Sequence, residues 1–182
     1  MRRLMLVVLG LAAALVLVPT AAVADSATHT YMLVMDAPNF GVAPNGDQIA
    51  ITGEAEFSVN PKSVEGGGSF THTNSSGHVL ATGTWEPTQL LDYQSYGCGI
   101  VRLPDGDVIL PPNFCGGKVK MGVMLTTPLG ELPGTLTILC IIGPNPPNSI
   151  DAGRGEGATL SVPGIINFNH SAGGDNVIIQ TS

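Results

Sequence analysis

Apolar residues in this chain recur with a period of two, and that period commits it to strands. Over residues 51–59, Ile51, Gly53, Ala55, Phe57 and Val59 fall on one side, and Thr52, Glu54, Glu56 and Ser58 on the other. This is the pattern of a half-buried strand with an acidic outer face. Residues 118–125 repeat it, with Val119, Met121, Val123 and Leu125 on one side. In residues 135–142, Leu136, Ile138, Cys140 and Ile142 alternate with a second face that carries Leu139 and Ile141, so one end of that strand is expected to be covered on both sides. Further strands are predicted over 28–35, 68–74, 78–85, 89–96, 99–103, 158–162, 165–169 and 176–180. No segment carries apolar residues at i, i+3, i+4 and i+7 over two turns, and only 89–96 would tolerate a short helix.

Turn chemistry punctuates these runs at Asn45-Gly46, Asn60-Pro61, Ser76-Gly77, Asp105-Gly106, Leu132-Pro133-Gly134 and Gly173-Gly174. Many short strands imply an antiparallel sheet that must either close or pair with another. The expected fold is all-β, a single antiparallel β-barrel, because glycines inside strands permit the curvature that closure needs. A two-sheet β-sandwich is the alternative. Residues 68–85 read as a hairpin turning over 73–77, with Val79, Ala81, Gly83 and Trp85 facing inward. The Pro- and Gly-rich stretch 143–157 reads as a long loop.

The N-terminus predicts export. Arg2 and Arg3 precede an apolar run over residues 4–18, and Ala22-Val23-Ala24 forms an A-x-A cleavage pattern before Asp25. The run is shorter than the roughly 20 residues a membrane helix needs. Residues 1–24 are therefore read as a signal peptide and 25–182 as one secreted, extracytoplasmic β domain with no membrane span. The signal carries two arginines and no acid, so its removal takes the formal net charge from −7 to −9. That acidity disfavours nucleic acid and anionic membrane surfaces as partners. Export permits a disulfide among the three cysteines. Cys98 and Cys115 both adjoin glycines at the ends of a turn-rich segment and are the expected pair, leaving Cys140 as a small buried hydrophobe.

Residues able to carry chemistry are sparse. His72 and His78 flank the predicted hairpin turn and, if opposite each other, could begin a metal site that His29 or His170 would complete. They fit exposed turn residues better. Glu54 and Glu56 share a strand face, which suits acid–base work only if burial separates their pKa values. Ser69 has no base placed beside it. Gly66-Gly67-Gly68 lacks the Lys-Ser/Thr of a phosphate loop and reads as a flexible strand entry or bulge, so no cofactor is expected. Asn74 and Asn169 stand in N-glycosylation patterns. Tyr93 and Tyr96, with Trp85 near, form the one aromatic group in the sequence, and Trp85 itself reads as core. Gly83-Thr84-Trp85 resembles the G-x-W of lipocalin-type barrels, but there the motif lies on the first strand, so nothing is carried over. The expectation is a non-catalytic exported β domain that binds a small ligand or a protein partner, or serves a structural role. The rival is a small β-barrel enzyme, an isomerase, cyclase or hydrolase, with a polar cavity lined by some of Glu54, Glu56, His72, His78 and Tyr96.

Overall fold

The structure, a computed structural model, describes residues 28–103, 105–147 and 156–182. The predicted signal peptide lies outside the described residues. Among them the chain forms strands and no helix: β1 (Thr30–Val42), β2 (Gln48–Val59), β3 (Lys62–Thr73), β4 (Val79–Cys98), β5 (Ile100–Leu103), β6 (Gly106–Ile109), β7 (Phe114–Thr127), β8 (Gly130–Cys140), β9 (Gly157–Val162), β10 (Ile166–Phe168) and β11 (His170–Gln180).

Nine of these strands make one antiparallel sheet in the order β10-β9-β8-β7-β11-β1-β2-β3-β4, and β4 pairs again with β7. β7 is the hinge of the architecture. One edge runs along β4 from Thr84↔Thr126 to Cys98↔Cys115, while the other meets β8 over Gly117–Thr127 and β11 only at Cys115↔Ile178 and Phe114↔Ile179. The result is a large sheet curled into a partial ring. β5 and β6 form a separate two-stranded hairpin, inside the loop that the Cys98–Cys115 disulfide closes. Cys140 is free and buried.

Alternation places the core as the sequence predicts. Ile51, Phe57, Val119, Val123 and Ile138 are each at most 1 % exposed and belong to one hydrophobic cluster with Leu33, Trp85 and Leu160. Leu139 and Ile141, on the other face of their strand, are half-buried. The 73–77 turn joins β3 to β4 with Gly68 opposite Trp85.

Several local expectations are corrected. Residues 89–96 form strand as predicted, continuous with 79–85 in the single long β4, and the helix tolerated there does not form. Register shifts at Pro87/Gln89, Leu90/Asp92 and Ser95/Gly97 break the period of two there, which is why the pattern reads ambiguously. Leu132, Pro133 and Gly134 lie inside β8, and the turn falls at Pro128 and Leu129. Pro133 is tolerated because β8 pairs only with β7 at that point; its pairing with β9 begins at Thr135. Gly173 and Gly174 lie inside β11, opposite the irregular stretch of β1 between Ala37 and Phe40. Residues 66–68 are paired strand interior in register with Gly53 to Ala55, not a strand entry. Val79 is exposed rather than inward. Residues 106–109, in the turn-rich segment between Cys98 and Cys115, form β6.

Candidate functional site

Four chain reversals, β1–β2, β3–β4, β7–β8 and β9–β10, lie at one end of the sheet, and an apolar recess of about 130 Å³ opens among the strands that feed them. Ile49 comes from β2, Phe70 and His72 from β3, Ala81 from β4, Leu125 and Thr127 from β7, Leu132 from β8, Leu160 and Val162 from β9, Ile165 from the β9–β10 turn, and Ile166 and Phe168 from β10. The register explains the space. His72 stands between Ile49 and Ala81 on the neighbouring strands, and the small Ala81 leaves room that a larger residue would fill.

His72 is the titratable side chain on this wall. Its Nε2 lies 3.1 Å from Asp47 Oδ2, and its ring meets Phe168 edge-on at 5.1 Å and 85°. Asp47 is held by the β1–β2 turn. Its amide donates to Asn45 Oδ1 at 3.1 Å and its carbonyl accepts from Ala43 N at 2.8 Å. The turn residues Asn45 and Gly46 therefore aim the carboxylate at the imidazole. Thr127, the remaining polar side chain here, is occupied: its hydroxyl donates to Gly130 O at 3.0 Å and accepts from Leu129 N at 3.1 Å.

The other residues singled out by sequence are not gathered here. His78 is exposed at the β3–β4 turn, where its amide donates to Asn74 Oδ1 at 2.9 Å. It does not face His72, whose cross-strand partner on β4 is Ala81. His29 sits by Gln180, and His170 is exposed at the start of β11. Among the described residues no three His, Cys, Asp or Glu side chains converge as metal ligands. Glu54 and Glu56 are exposed on the outer face. Glu56 stands opposite Glu65, and both border an open recess of about 260 Å³ away from the gathered turns.

Tyr96 is buried near the end of the 20-residue β4 strand, far from His72, and burial raises its hydroxyl pKa above the ordinary value. Tyr93 packs with Tyr31 and Phe57, at centroid distances of 4.9 Å to each, and burial raises its pKa strongly. Trp85 is core, with Nε1 donating to Thr52 O at 3.0 Å.

A buried polar cluster escaped the sequence reading. Asn39 and Asn176, 0 % and 1 % exposed, exchange amide hydrogen bonds of 2.8 and 2.9 Å. Asn176 Nδ2 also donates to Leu139 O at 2.9 Å. Glu156 accepts from two backbone amides, Ile141 N at Oε1 and Asn176 N at Oε2, each at 2.9 Å. Desolvation still dominates, so the Glu156 carboxyl pKa is raised above its ordinary value. Burial first, and the neighbouring Glu156 second, push the Cys140 thiol up to about 12. Glu156 lay in a Gly-rich stretch that marks only a loop. Asn176 did leave a signal, being a polar residue at an inward position two before the buried Ile178. Among the described residues no buried side-chain nitrogen or oxygen lacks a partner, so this cluster is a satisfied structural network.

Comparison with protein-family models, with curated proteins and with solved structures finds no match for this chain. Among the described residues no helix is long and apolar enough to cross a membrane. The disulfide fits an oxidising, extracytoplasmic setting.

Proposed function

We propose that this chain is an exported, non-catalytic β domain, cleaved after Ala24, that holds a small apolar ligand in the recess at its turn end. The partial ring is read as a barrel whose interior is packed and whose ligand space is confined to one mouth. The observation that carries this reading is the recess itself, a concave apolar surface with His72, bonded to Asp47, in its wall, the usual composition of a small-molecule site. Binding is favoured over catalysis by the distribution of perturbed groups. Tyr93, Tyr96, Cys140 and Glu156 are buried away from the recess, whereas acid–base catalysis needs such groups around one cavity. Partner binding is a second reading, favoured by the β5–β6 hairpin, which leaves Leu103, Val108 and Ile109 exposed.

Apolar cavities take up small aromatic molecules, so toluene is a suitable probe. Added to the exported protein, it should shift amide resonances around Ala81, Leu132 and Ile166. Ala81→Leu, which fills the recess, should abolish those shifts while the rest of the spectrum stays folded. Shifts that survive Ala81→Leu, or that never cluster at the recess, would remove this site from consideration.

A further inference from the structure

We infer that the recess selects an apolar molecule carrying one hydrogen-bond donor, a phenol or a cyclic alcohol, whose hydroxyl donates to Nδ1 of His72. This rests on the reading of the recess as a ligand site and names the ligand's chemistry. A carboxylate only accepts, so Asp47 Oδ2 at 3.1 Å draws the imidazole proton to Nε2. In the neutral ring Nδ1 then keeps its lone pair, and among the described residues it has no protein partner. The one other polar side chain lining the recess is spoken for, because the Thr127 hydroxyl both donates and accepts within its own turn. The remaining wall is aliphatic and aromatic. A purely apolar ligand offers that acceptor nothing. A ligand with one donor satisfies it. An anionic ligand would meet only the lone pair, with Asp47 close behind it.

The ring position is fixed for this task. Asp47 anchors one side of the imidazole, and the edge-on contact with Phe168 orients its plane. His72 is in this sense a specificity-determining residue, aimed by the β1–β2 turn.

The test compares phenol, toluene and benzoate on the full exported protein, by amide shifts and by the ring nitrogen resonances of His72. One hydrogen bond is worth about tenfold in affinity, so phenol should bind about tenfold more tightly than toluene. The Nδ1 resonance should move with phenol and stay with toluene, a reading that needs no variant. In His72→Phe, which keeps a ring beside Phe168, toluene binding should persist and the preference for phenol should vanish. Equal binding of phenol and toluene, or a preference for benzoate, would overturn the inference and leave the recess as a ligand site. If none of the three binds, the recess reading falls with it.

Discussion

Glu156 shows how one carboxylate can be both well bonded and poorly solvated. Its two oxygens accept amides from Ile141, just beyond β8, and Asn176 on β11, two strands with no ladder between them. It thereby stands in for a missing strand pairing, and it could not be recognised from its neighbours in sequence. The sign of its pH dependence follows from the raised pKa. The native state holds this proton more tightly than the unfolded chain does. The stability it lends is fully present below the unfolded carboxyl value of about 4.3, and is lost as pH rises through the higher folded value. Urea unfolding of wild type and Glu156→Gln across that window should therefore diverge, with wild type losing ground to the variant as pH rises. Parallel curves would mean that burial does not control this group. Glu156→Ala, which orphans both amides, is expected to cost about 1–3 kcal/mol.

Strands β2, β3 and β4 are joined by a contact in which glycine is required. The Trp85 indole lies against Gly53 and Gly68, which are cross-strand partners. A Cβ on Gly68 would strike Thr52 O and come within 2.7 Å of Trp85 Nε1. Gly68→Ala should therefore cost roughly 1–3 kcal/mol by overpacking and break the Trp85 Nε1–Thr52 O bond. The readout is simple because Trp85 is the chain's one tryptophan. Its emission should shift to the red as the urea midpoint falls, and an unchanged midpoint would show that the indole moves aside at no cost. At this scale the strands themselves were legible, as were the β3–β4 turn and the outward placement of Glu54 and Glu56. The continuation of β1 through residues 36–38 and the inward positions within 89–96 were not, because bulges shift the phase of the alternation on which the reading depends.

The partial ring depends on β7, whose contact with β11 is only two residue pairs long. The Cys98–Cys115 bond sits at that corner, since Cys115 pairs with Cys98 on β4 and with Ile178 on β11. It closes a loop of sequence separation 17, worth about 3 kcal/mol in the chain-entropy account. Replacing both cysteines by serine should lower unfolding stability by about that amount. Amide exchange should rise first at Ile178 and Ile179, where the ring is narrowest in hydrogen bonds. Uniform acceleration over all strands would argue that the bond acts on the unfolded chain alone.

Strand character, the inward positions of the regular strands and the cysteine pair could be read locally, because side-chain alternation and turn residues are properties of a few consecutive residues. The tertiary structure alone decided the rest. Alternation says which face of a strand is buried and nothing about which strand lies beside it. The three partners of β7, the Asn39–Asn176 exchange across 137 residues, the support from Glu156 and the recess around His72 all arise from pairings between segments distant in the chain. Their free energies appear only once those segments meet.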